Sequence, residues 1–313
     1  MNNKEKAKKG QRFENKKNSK NKSTSHALCA VGIWSTLAPS AKLLMADLPS
    51  LETLCVGSLI AALFLLLLNV LNGKIGLLGG LPPRQLSRMA ALGFLGLFAY
   101  SALYYYGIDQ LSSQEACILN YLWPVMVMIF SVLILKEALT ARKVIAMLLS
   151  FAGIVILTGG MSGGKGQMHW DGILSCMAAA VCYGLFSVLN KKDQCDQGLA
   201  MMISWAVTAF CALPAGLLTE HWVWPGCTQW LGLLWVGIMA SAAAYLLWAL
   251  GLAESDNTAR TANLAYLTPF CSVLLSALLV GERIRPSALL ALAFIIGGIL
   301  IQNLPGMCRE RDE

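Results

Sequence analysis

Blocks of about 20 consecutive apolar residues recur along this chain, separated by short loops that hold the charges, prolines and glycines. At a rise of about 1.5 Å per residue, such a block crosses the hydrocarbon core of a bilayer as a helix. Backbone groups find no water there, so a spanning segment is either a helix or part of a closed barrel. Barrel strands alternate apolar and polar residues, and these blocks do not. Composition agrees, since 57% of the 313 residues are apolar and only 13% are charged, against roughly a quarter charged in soluble domains. The fold class expected is an all-α membrane protein. Ten transmembrane helices are predicted, near 28–46, 51–71, 89–108, 114–135, 143–160, 172–190, 198–218, 228–252, 258–280 and 287–304.

The net charge of +7 sits in residues 1–26, which hold nine basic side chains against Glu5 and Glu14. That stretch is too polar to build a core and is expected to be a disordered cytoplasmic tail. It reads as a topology anchor, or as a segment drawn to anionic lipid or nucleic acid. With both termini in the cytoplasm, 20 Lys and Arg fall on the cytoplasmic side and four on the other. That bias obeys the positive-inside rule and calls for an even number of spans. Of the ten cysteines, most lie inside apolar blocks and none forms a zinc-type cluster with His. They read as small packing residues, so no metal and no cofactor is expected.

An internal repeat constrains the architecture further. Residues Leu119–Ile156 align without a gap on Leu264–Ile301, an offset of 145, with 11 of 38 positions identical. The matches include Tyr121/Tyr266, Leu122/Leu267, Pro124/Pro269, Glu137/Glu282 and Gly153/Gly298; upstream, Tyr100 matches Tyr245. Trp34 and Lys42 match Tyr183 and Lys191 at an offset of 149. The unit is therefore five spans, over residues 27–160 and 170–304, with a short cytoplasmic tail at 305–313. An odd unit enters the membrane from opposite sides in its two copies. Such inverted repeats are characteristic of transporters.

The strings Asn120-Tyr121-Leu122-Trp123-Pro124 and Leu264-Ala265-Tyr266-Leu267-Thr268-Pro269, each followed by a glutamate at the end of its span, resemble the EamA repeats of the drug/metabolite transporter superfamily. The first string resembles more narrowly the bacterial aromatic amino acid exporters of the YddG type. The resemblance covers about residues 27–304 and implies a ten-helix inner-membrane exporter of metabolites with a cavity lined by both halves.

Candidate residues follow from the repeat. Pro124 and Pro269 fall mid-span, where proline removes a helical hydrogen bond and kinks the helix. Each reads as a hinge or cavity-forming kink, or as a structural bend. Tyr121, Trp123 and Tyr266 flank them. Mid-span aromatics beside a kink suit a cavity, offering a stacking face and a hydrogen-bonding tip. Tyr100 and Tyr104 lie one helical turn apart and can face it together, whereas Tyr105 and Tyr106 point elsewhere. Trp34, Tyr183 and Tyr245 join the set through the repeat. Asn120, a polar side chain in an apolar span, either binds substrate or ties helices together. Glu115 is the one acid that could serve ion coupling, because no carboxylate lies at mid-membrane. Glu137 and Glu282, near Arg142 and Arg283, read as members of local ion pairs or caps.

Competing classes fare worse. The three histidines are scattered, and no HExxH, GxSxG or phosphate-binding loop occurs, so the chain is not expected to be an enzyme. A channel would need polar groups along a pore. The expected function is export of small metabolites such as aromatic amino acids by alternating access; the alternatives are transport of cationic drugs, purines or sugar derivatives. The expected partners are a small-molecule substrate and the bilayer, without nucleic acid. Small residues at helical spacing, such as Ala146 and Ser150, suit packing within a monomer or a weak homodimer.

Overall fold

The structure is a computed structural model and describes residues 22–136, 141–162, 169–190, 196–253 and 263–303. Its described residues are helical throughout, with no strand. Helix α1 covers Lys22–Leu44, α2 Ser50–Leu71 and α3 Pro83–Gln110. Next come α4, Ser113–Asn120, and α5, Trp123–Leu135, then α6, Ala141–Ser162. The second half holds α7, Trp170–Asn190; α8, Gln197–Thr219; and α9, Cys227–Gly251. It closes with α10, Leu267–Leu279, and α11, Pro286–Asn303.

Among the described residues, seven stretches are long and apolar enough to cross a membrane: α1, α2, α3, the α4–α5 run, α7, α8 and α9. Three shorter apolar helices lie in α6, α10 and α11. Large apolar side chains are turned outward, including Phe210 at 79% exposed and Leu218 at 84%. Such a surface would be unfavourable in water, and hydrocarbon is its natural solvent.

Helix α1 is already helical at Lys22, the first described residue, several residues before the expected span. The reason is packing: buried Ser23 donates its hydroxyl to the Gly251 carbonyl at 2.7 Å, and Ala27 is fully enclosed beside it. The remaining basic tail and Glu137 lie outside the described residues.

Helices pair in a regular way. The α2 helix packs along α8, and α6 along α11. Carboxylates tie α2 to α8 at one end. Glu220 accepts from the N–H groups of Leu51 and Glu52 and from the Ser50 hydroxyl at 3.0–3.1 Å, and Val223 N–H donates back to Glu52 at 2.9 Å. At the other end Asn69 Nδ2 donates to Gly198 O, and Lys74 meets Asp196 at 2.7 Å. Burial would raise the Asp196 pKa, but the Lys74 ammonium and the Leu199 and Gly198 N–H groups outweigh it and hold the carboxyl below its usual range. Lys42 does more than reach toward an interface. Its ammonium donates to the carbonyls of Ile108, Asp109 and Leu111 at 2.7, 2.9 and 2.8 Å. These are carbonyls left orphaned at the end of α3, where a cation also complements the helix dipole.

Contact between α6 and α11 depends on Gly153. A methyl added there would sit 2.8 Å from the Ala291 carbonyl oxygen and 2.9 Å from Ile295 Cγ1. Gly153→Ala is therefore expected to destabilise the fold by about 1–3 kcal/mol, read as a lower Tm of the full chain in detergent. An unchanged Tm would show that the two helices are not held this close.

Candidate functional site

Helix interruptions bring the site together. α1 turns at residues 35–36 and resumes at Leu37, with Pro39 in the first turn of the resumed helix. α4 ends at Asn120, Tyr121 and Leu122 form a turn, and α5 begins at Trp123. A 3-10 turn over Asn263–Tyr266 precedes α10. Pro124 and Pro269 are thus not kinks within continuous helices, as the sequence suggested. Each lies in the first turn of a new helix, where the missing N–H is no loss. The freed backbone is satisfied across the fold: Tyr121 donates its hydroxyl to the Ala265 carbonyl at 2.7 Å, joining the two interrupted segments.

Two further irregularities carry tyrosines. α3 is π-helical over Phe94–Ala99, immediately before Tyr100. α9 is π-helical over Trp235–Ala243, two residues before Tyr245. At the offset of 145 these segments overlap. π-helical turns are uncommon and concentrate at functional sites. No sequence pattern announced them.

Between these segments lies a cavity of about 50 Å³. Its walls include eight of the nine expected substrate contacts: Trp34, Tyr100, Tyr104, Asn120, Tyr121, Trp123, Tyr183 and Tyr245. The side chain of the ninth, Tyr266, lies outside the described residues. Of the other tyrosines on α3, Tyr105 is buried in the core, and Tyr106 is exposed and donates to Asp171 at 2.9 Å. Leu37, Cys117 and Thr268 also line the cavity and were missed. Two of them had a signal, since Thr268 is the repeat counterpart of Trp123 and Cys117 lies one helical turn before Tyr121.

Tyr100 stacks on Tyr104 at 5.9 Å, and the other ring pairs are edge to face or tilted. Tyr183 lies 4.8 Å from Tyr100 and 5.3 Å from Trp123, at 90° to the latter. Trp34 lies 5.0 Å from Tyr245. The sequence repeat relates Trp34 to Tyr183 and Tyr245 to Tyr100, so these two close contacts join matching positions, one edge to face at 79° and one tilted at 38°. No Asp, Glu, Lys, Arg or His is among the described lining residues. Polarity comes from neutral groups. Asn120 Nδ2 donates to the Tyr100 hydroxyl at 3.0 Å. Trp34 Nε1, Asn120 Oδ1 and Thr268 Oγ1 are buried without a partner. Unmatched buried polar atoms cost about 1–3 kcal/mol each, a cost that a polar ligand would relieve. A volume near 50 Å³ holds water but no aromatic solute, so the rings must separate to admit one.

Glu115 lies outside this cavity. It closes a capping box with Ser112 at the start of α4 and accepts from Arg285 at 2.8 Å. The sequence suggested Glu115 for ion coupling; here it serves a cap and an ion pair. Nor does Glu282 act locally: it accepts from Ser113 N–H and Oγ at 2.7 and 2.9 Å and from Gln114 N–H at 3.2 Å. No group of three or more potential metal ligands occurs among the described residues.

An EamA-like transporter family model matches residues 23–159 and again 170–304. The chain belongs to the EamA-like transporter family. EamA transporters are multi-pass inner-membrane proteins, in keeping with the apolar helices here. Among curated relatives, the aromatic amino acid exporter YddG of Ancylobacter novellus is 29% identical over 91% of this chain and 98% of its own length. Protein PecM of Dickeya dadantii is 26% identical over 88% of this chain and 90% of its own. A probable terminal-alkyne amino-acid exporter of Streptantibioticus cattleyicolor is 26% identical over 73% and 77%. A crystal structure matches with a TM-score of 0.67 at 25% identity, covering 90% of this chain and 96% of the other.

Proposed function

We propose that this EamA-like transporter exports aromatic amino acids from the cytoplasm by alternating access, through ten spans arranged as two inverted five-helix repeats. The observation that carries this reading is the duplicated contact, Trp34 on Tyr245 and Tyr183 on Tyr100. Each pair joins one half to the other across a cavity that both halves line. Exchange of conformations between two such halves opens the cavity to alternate sides. Pairing of α2 with α8 and of α6 with α11, each with its repeat counterpart, supports the same symmetry. Three uncharged groups without partners suit a solute with both hydrogen-bond donors and acceptors, and the rings suit an aromatic side chain or a cation over a ring face. Two relatives bear names of amino acid exporters, which supports the substrate class.

Counterflow in proteoliposomes tests the proposal. Vesicles loaded with L-tryptophan or L-phenylalanine are expected to accumulate the labelled amino acid, and vesicles loaded with a sugar or a purine are not. Absence of aromatic amino acid flux, with flux of another solute, would overturn the substrate assignment while leaving the transporter.

A further inference from the structure

A second chamber lies at the other end of α4 and takes no part in the aromatic cavity. It encloses about 310 Å³ and is lined by Gln114, Glu115, Leu157, Glu282, Arg283 and Arg285 among others. That volume falls in the range of small-solute sites, roughly 300–1,000 Å³.

Its two acids are already committed. Glu282 caps α4 through Ser113 and Gln114, and Glu115 holds Ser112 N–H and Arg285. Donors are left over. Gln114 is 3% exposed, and its Nε2 has no acceptor. Arg283 is exposed and makes no hydrogen bond or ion pair among the described residues. Arg285 spends only Nη1 on Glu115 and keeps its other N–H groups, with its side chain 54% exposed. A guanidinium presents five N–H donors in a fork matched to carboxylate oxygens. An amide NH₂ buried without a partner calls for an acceptor in the chamber.

We infer that this chamber is a second solute site, which takes the carboxylate of an amino acid on Gln114 Nε2 and the guanidiniums of Arg283 and Arg285. Glu115 and Glu282 balance the two arginines, so the lining is formally neutral and suits a zwitterion over a multiply charged anion. Gln114 and Asn120 stand at opposite ends of one eight-residue helix, about 9 Å apart along its axis. Solute held here therefore lies one helix length from the aromatic cavity. The identity of the solute rests on the function proposed above; the donor excess does not.

Equilibrium binding of labelled L-tryptophan to the full chain in nanodiscs tests this. Two equivalents per chain are expected. Gln114→Met with Arg283→Gln should weaken one of them at least tenfold and leave the other within twofold. Trp123→Ala should remove that other one. Tryptamine, which lacks the carboxylate, should bind a single equivalent, lost with Trp123→Ala. If the paired variant elutes as aggregate, Arg283→Gln alone, at an exposed position, carries the test with the same expected direction. One equivalent in the wild type, abolished by Trp123→Ala and untouched by the chamber variants, would overturn the second site and leave the proposed function standing. No tryptophan bound at either place would overturn both.

Discussion

Trp123→Ala is expected to lower kcat/KM for aromatic amino acid export in proteoliposomes by about 30-fold or more, the equivalent of about 2 kcal/mol. Trp123 opens α5 immediately after the helix interruption and packs at 90° against Tyr183, 5.3 Å away. It also lies 6.5 Å from Tyr121, whose hydroxyl bridges to Ala265 in the other half. Its indole therefore borders the space where a solute ring would stack, and truncation removes the largest face available there. Trp123→Phe retains an aromatic face and should recover most of the rate. Recovery by Phe separates a stacking role from simple loss of packing, because Phe leaves a void that a purely structural role would register in Tm. Export by Trp123→Ala at the wild-type rate would remove this residue from the solute path.

Glu282→Ala should produce the second large effect, at least a tenfold faster reaction of Cys117 with a maleimide, followed by peptide mass spectrometry. Cys117 is a free thiol, 4% exposed, on the wall of the aromatic cavity. The Glu282 carboxylate accepts from two backbone N–H groups and a hydroxyl at the start of α4. Hydrogen bonds to a charged acceptor contribute about 1.5–3 kcal/mol each, and an anion at a helix N-terminus adds about 0.3–1 kcal/mol. Without it, α4 loses its hold on the 282–285 segment and keeps only the Glu115–Arg285 pair. Glu282→Gln, which keeps one acceptor oxygen, should fall between alanine and wild type. Equal labelling of all three would show that this carboxylate does not restrain α4.

A single parallel reinforces the importance of that contact. At the start of α2, Ser50 and Glu52 face Glu220 and Val223. At the start of α4, Ser113 and Glu115 face Glu282 and Arg285. In both places a carboxylate of the second half caps a helix of the first. The glutamate two residues after the capped serine then reaches back to the residue three beyond the capping acid. The α2 joint is matched by Asn69 and Lys74 at the far end of the helix, so α2 and α8 are tied at both ends. α4 ends instead at the Tyr121–Leu122 turn.

Much was legible in the sequence alone. Apolar blocks announced membrane helices, because transfer of a side chain into lipid is nearly a property of that side chain, summed over a local window. The repeat offsets of 145 and 149, with the neighbours of Pro124 and one helical turn from Tyr100, named the aromatic and amide set, because matching positions of a duplicated unit tend to occupy comparable places. Eight of the nine aromatic and amide positions chosen in this way line one cavity. Local reasoning failed where backbone or charge found distant partners. Pro124 looked like a kink, yet the helix is interrupted before it, at a turn where the Tyr121 hydroxyl meets the carbonyl of Ala265, 144 residues away. Glu282 looked like a member of a local ion pair or cap, but it accepts from Ser113, 169 residues away. The π-helical turns, the 50 Å³ cavity and the chamber with unmatched donors likewise belong to tertiary structure. Hydropathy and repetition are carried residue by residue and survive in a single sequence. Hydrogen-bond pairing depends on which ends of which helices meet, and that is decided only when the chain packs.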